Sequence, residues 1–167
     1  MGIIEKIVKD KSVTPIKEGE MAPDFSDVDQ NGKKVSLNDF KGKRLALYFY
    51  PKDDTIGCTA EASNLRDNYQ GLKKNDIEIM GVSADDEVSH KEFSNKLNLP
   101  FRLIADTDKK IIHAYGVWGK KTLLGKSFDG ILRTTFIIDK AGKIEKIISK
   151  VETGDHSKQI LTALGLS

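Results

Sequence analysis

The chain has 167 residues, 38% of them apolar and 31% charged, with 27 basic against 25 acidic side chains and a formal net charge of +2. That length suits one compact core, because single domains usually run to about 100–200 residues. A near-neutral balance without a long basic run argues against tracking a phosphate backbone, and no stretch approaches the ~18 apolar residues that span a bilayer, so neither nucleic acid nor membrane is an expected partner.

The first residues, MGIIEKIVKDK, put Glu5, Lys6 and Lys9 inside any would-be signal-peptide core, which points to a cytoplasmic protein. Ile3, Ile4, Ile7 and Val8 have the spacing of one apolar helical stripe, and Pro15 and Gly19 break any continuation of it. Residues 1–18 therefore read as an N-terminal extension and 19–167 as the domain. Between Phe25 and Val35 two short extended runs flank Asn31-Gly32, a pair suited to a type I′ hairpin turn because both residues tolerate positive φ.

Arg44 to Tyr50, RLALYFY, is a continuous apolar run of strand length, the pattern of a strand buried on both faces. Pro51 ends it, residues 52–57 form a loop, and helix formers run from Thr59 through Leu72. IEIMGVS at 77–83 predicts a second buried strand, followed by a helix over 87–97 that stops near Asn98 and Pro100. A short strand at 102–105, a short helix at 109–115 and a loop-rich insertion at 116–130 come next. TTFIID and KIEKIIS, joined by Lys140-Ala141-Gly142, predict a β-hairpin, and residues 156–164 a closing helix. The order is that of an α/β protein with a central mixed sheet flanked by helices, parallel units first and antiparallel ones last. It suits a thioredoxin-like fold, although periodicity alone allows a flavodoxin-like arrangement as well.

The sequence contains one cysteine, Cys58, so neither an internal disulfide nor a CxxC redox pair is available. His90, His113 and His156 are far apart and share no ligand spacing with it; they read as surface or core residues, and no metal is expected. Cysteine does nucleophilic work as the thiolate, while a free thiol with a pKa of ~8.5 is mostly protonated at neutral pH. The strand-loop-helix order puts Cys58 at a helix N-terminus, where unpaired N–H groups and the positive dipole end favour an anion. Thr55 can aim a hydroxyl toward the space before the sulfur, Gly57 lets backbone come close, and Pro51 fixes the strand exit and keeps water off. Against this, a free cysteine is often a small buried hydrophobe, and Pro, Thr and Gly are ordinary loop residues.

The segment YFYPKDDTIGCTAEASNLRD, with its P-x3-T-x2-C core at Pro51, Thr55 and Cys58, resembles the active-site segment of the peroxiredoxins, in particular the bacterioferritin comigratory protein or peroxiredoxin Q group. MAPDF at 21–25, YGVWGKK at 115–121 and RTTFIID at 133–139 extend the likeness over most of the chain from Gly19 onward. The resemblance implies a thioredoxin-like fold and a thiol-dependent peroxidase that needs no cofactor. Cys58 would be the peroxidatic cysteine, attacking hydrogen peroxide or an organic hydroperoxide and becoming a sulfenic acid. Thr55 and the Cys58 N–H would hold the peroxide oxygens, Arg133 would match the family's active-site arginine, and Glu61 an acid that supports it. The implied partners are a peroxide and thioredoxin or another thiol reductant, and relatives of this group are often monomeric.

Two positions depart from the pattern. Many members carry a resolving cysteine five residues after the peroxidatic one, where this chain has Ser63; either the protein relies on an outside thiol, or the serine was introduced to trap one redox state. Ile56 stands where relatives usually have proline, which implies a slightly looser loop. A general thiol-disulfide or glutathione-dependent oxidoreductase on the same fold, and a non-catalytic redox sensor that changes partner on oxidation, are the alternatives to peroxidase activity.

Overall fold

A computed structural model describes residues 14–166; the apolar stripe expected at Ile3 to Val8 lies outside them. A five-stranded sheet runs through the centre in the order β5 (Arg102–Ala105), β4 (Ile77–Ser83), β3 (Arg44–Phe49), β8 (Thr134–Ile138), β9 (Ile144–Ile148). β3 pairs in parallel with β4, and β4 with β5, whereas β8 is antiparallel to both β3 and β9. The antiparallel half removes the flavodoxin-like alternative, and the fold is thioredoxin-like.

The unbroken apolar pattern of β3 has the predicted cause. Leu45, Leu47 and Phe49 point into one core with Met80, Val82, Phe136 and Tyr115, while Ala46, Tyr48 and Tyr50 point into another with Ile79, Leu103 and Ile137. Burying each large side chain contributes about 1.5–3 kcal/mol, so the central strand is anchored from both sides. The second core is closed by α1 (Ile56–Asp67), α2 (Tyr69–Lys74), α3 (Glu87–Leu97) and α5 (His156–Ala163), and the first by α4 (Lys110–Ala114) and the strands around it. Tyr48 lies opposite Gly81 in the β3–β4 register. A Cβ at Gly81 would come within 2.8 Å of Leu103 Cδ2 and 2.9 Å of the Tyr48 ring, so glycine here makes room for an aromatic core.

Three expectations need correction. The turn between β1 (Ser26–Val28) and β2 (Lys34–Ser36) is not type I′: of the two central residues Gly32 has a positive φ, 72°, and Asn31 does not. The buried Asp29 carboxylate sets this loop instead, accepting from the N–H groups of Asn31 (2.8 Å) and Lys33 (3.0 Å) and from Arg102 (2.8 Å). The helix expected from Thr59 through Leu72 starts earlier, at Ile56, and breaks at Asn68 into α1 and α2. The insertion at 116–130 is a regular hairpin, β6 (Trp118–Leu123) with β7 (Lys126–Ile131), turning through Leu124 (φ 53°) and Gly125 (φ 79°). Among the described residues no helix is long and apolar enough to cross a membrane.

Candidate active site

Pro51 comes directly after the last ladder bond of the central strand, from Tyr50 N–H to the Val82 carbonyl (3.1 Å), and its lack of an N–H stops the pairing there. The loop beyond it is held by Asp53. Its Oδ1 accepts from the Tyr50 hydroxyl (2.6 Å), its Oδ2 from Ser89 (2.8 Å), and its own N–H donates to Asp85 Oδ2 (2.9 Å). His90, fully buried on α3, places Nδ1 2.7 Å from Asp53 Oδ2 and Nε2 2.8 Å from the Ile104 carbonyl. Both partners are acceptors, so both ring nitrogens carry protons. Burial pushes the imidazole down, but Asp53 and the Ile104 carbonyl outweigh it and leave His90 above its ordinary pKa.

Thr55 is the N-cap of α1, and the first intrahelical bond runs from Thr59 N–H to the Thr55 carbonyl (2.8 Å). The N–H groups of Ile56, Gly57 and Cys58 therefore precede the helical ladder and leave a positive end at the cysteine. Cys58 is 1% exposed and packs on one side with Ala62, Leu65 and Tyr48. On another side it meets charge: Arg133 Nη2 donates to Sγ at 3.3 Å, while Nη1 donates to Glu61 Oε1 at 2.6 Å. Glu61 is fully buried one turn further along the same helix face. Burial raises its carboxyl to about 7 even though Arg133 pulls the other way. Burial also opposes the charge on Arg133, but Glu61 and then Cys58 outweigh it and hold the guanidinium protonated.

Residues 19–147 match the model of the AhpC/TSA family. The chain is 43% identical to "Peroxiredoxin Bcp" of Escherichia coli (strain K12) over 152 residues, covering 91% of this chain and 97% of that protein. The chain belongs to the AhpC/TSA family, as a peroxiredoxin. A Bacillus subtilis (strain 168) "Peroxiredoxin Bcp" is 44% identical over 149 residues, covering 89% and 95% of the two chains. Among solved structures, the Xanthomonas campestris bacterioferritin comigratory protein, studied for alkyl peroxide reduction, is similar at a TM-score of 0.81 and 31% identity, covering 89% of this chain and 98% of that one.

In this peroxiredoxin the expected residues occupy one region. Pro51, Thr55, Gly57, Cys58 and Glu61 share the β3–α1 junction, and Arg133 reaches it from the segment leading into β8. The Thr55 hydroxyl donates to the Lys52 carbonyl at 2.9 Å, which leaves its lone pairs as acceptors. What comes close to Gly57 is the arginine: a Cβ there would stand 3.2 Å from Arg133 Nη2. Ser63 lies half-buried on α1, five residues beyond Cys58. Residue-by-residue reading of the sequence missed Asp53 and His90 beneath the loop and His156 behind Glu61, since a lone histidine or aspartate carries no spacing signal. His113 is exposed, while His90 and His156 are core residues.

Proposed function

We propose that Cys58 is the peroxidatic sulfur of a thiol-dependent peroxidase that reduces hydrogen peroxide and organic hydroperoxides. The observation that carries this reading is the 3.3 Å contact from Arg133 Nη2 to Cys58 Sγ at a helix N-terminus, with Glu61 holding the other arm of the guanidinium. Two sources of positive charge, the helix end and the guanidinium, face the sulfur. Sγ attacks the hydroxyl-bearing oxygen of R–O–O–H, an S–O bond forms as the O–O bond breaks, and the product pair is Cys58 sulfenic acid and RO⁻, which takes up a proton. The sulfur is oxidised by two electrons and the peroxide reduced by two. Arg133 stabilises the charge that develops on the departing oxygen, and the Thr55 hydroxyl, already donating to Lys52, accepts the peroxide O–H. Pro51 closes the strand side of the loop.

Ser63 cannot resolve the sulfenic acid, so an outside thiol does: one thiol displaces water to give a mixed disulfide, and a second releases Cys58 and leaves as the disulfide. Thioredoxin or a small thiol fits this role. In a dithiothreitol-coupled assay the protein consumes peroxide, Cys58→Ser abolishes the activity, and Arg133→Met slows oxidation of Cys58 about 100- to 1,000-fold. Mass spectrometry after one equivalent of peroxide shows one added oxygen on Cys58. Unchanged peroxide consumption in Cys58→Ser overturns the assignment.

A further inference from the structure

Glu61 uses one carboxylate oxygen for Arg133, while the other, Oε2, is buried and has no hydrogen-bond partner among the described residues. His156 opens α5 with its Nε2 3.7 Å from that oxygen, within ion-pair reach but too far for a hydrogen bond. Its neighbours fix its tautomer. Gln159 Oε1 accepts from Glu152 N–H (2.8 Å) and its Nε2 donates to the Lys150 carbonyl (2.9 Å), so the amide is oriented independently of the imidazole. Oε1 must then accept from His156 Nδ1, 2.8 Å away. The proton of the neutral ring sits on Nδ1, and Nε2 is a lone pair that accepts from the Thr135 hydroxyl at 2.7 Å. While Thr135 holds that one lone pair, the bare Oε2 has no donor on its side, and a proton on Oε2 competes with the Thr135 hydroxyl for the same acceptor once the two side chains close the 3.7 Å gap.

The geometry points to His156 as a positioning residue acting through Glu61: its Nε2 is the acceptor that the acid form of Glu61 takes in competition with Thr135, and so sets how readily that side chain surrenders its ion pair to Arg133. Glu61 is faced by Arg133 from the segment before β8, by the Tyr48 hydroxyl from β3, by Cys58 from its own helix and by His156 from α5. Burial pushes the Glu61 carboxyl up to about 7, against Arg133. Burial pushes His156 down to about 4, opposed by Gln159 and reinforced by Arg133. The proton that this pair takes up from solvent near neutrality therefore resides on Glu61. Once neutral, Glu61 no longer anchors the guanidinium by charge, and the reaction at Cys58 slows.

Infrared pH titration of the reduced protein tests this. A protonated-carboxyl band that Glu61→Gln removes should appear near neutral pH. In His156→Leu the acid form loses its acceptor, and the band should titrate about one pH unit lower. In Thr135→Val the Nε2 lone pair is released to Glu61, and the band should titrate higher. Single-turnover oxidation of Cys58 should show its acid limb moving in the same two directions. That kinetic arm rests on Cys58 being the reacting sulfur; the infrared arm does not, so failure of the peroxidase reading and failure of the Glu61–His156 link are separable. A band that stays fixed in both variants, or rates that fall at every pH with an unmoved limb, overturns the proposal. Should His156→Leu fail to fold, Thr135→Val alone decides it.

Discussion

Gly57 and Arg133 share a space in which one more carbon fits only if the guanidinium gives way by a few tenths of an ångström. The glycine's φ is not in the left-handed region, so its role is clearance: a Cβ would stand 3.2 Å from Nη2 of the arginine that touches the sulfur. Gly57→Ala should therefore lower the rate of Cys58 oxidation at least tenfold, since small misplacements of a reacting constellation are costly. Its melting temperature should stay within a few degrees of the parent value, because the new methyl displaces a side chain and not the backbone. Stopped-flow peroxide reaction alongside calorimetry checks both halves. Ile56, 93% exposed at the first helical position, is a place where proline would cost no hydrogen bond, because a first-turn N–H needs no intrahelical partner.

Helix α3 and the loop after β3 are coupled through the Asp53–His90 pair, whose side chains are 3% and 0% exposed. A histidine whose folded pKa lies above its unfolded value of 6.5 contributes stability that is fully present below 6.5 and is lost as pH rises through the folded value. Urea midpoints should therefore fall from pH 6 to pH 9, and His90→Gln should flatten that part of the profile while costing about 3–5 kcal/mol at pH 6, since Asp53 is left buried without its partner. The β6–β7 hairpin offers the opposite sign. Leu124 is 92% exposed at φ 53°, a conformation that asparagine adopts more readily. Leu124→Asn should stabilise the protein by about 0.5–1 kcal/mol in a urea melt. This hairpin escaped the sequence reading because its strands lie on the surface and carry no hydrophobic period, whereas Asn31-Gly32 marked a hairpin that does form, with only its turn type reset by the buried Asp29 carboxylate.

Across the whole molecule the sheet divides two cores, and at Gly81, opposite Tyr48 in the sheet, there is no room for a Cβ. Gly81→Ala should destabilise the fold by about 1–3 kcal/mol, because Leu103 and the Tyr48 ring must give way. Chemical denaturation measures it, and the contrast with Gly57→Ala separates a packing defect from a site defect. Local pattern was enough to place the two-faced strand 44–50, the alternation of strands and helices, and a cysteine at a loop-helix junction, because periodicity and turn chemistry act within a few residues. The company that cysteine keeps was not local. Arg133 lies 75 residues from Cys58 and 72 from Glu61, and it arrives because β8 pairs antiparallel with β3. The charge states of Glu61 and His156 depend on burial that no residue spacing encodes, and such desolvation exists only once the helices close over the sheet.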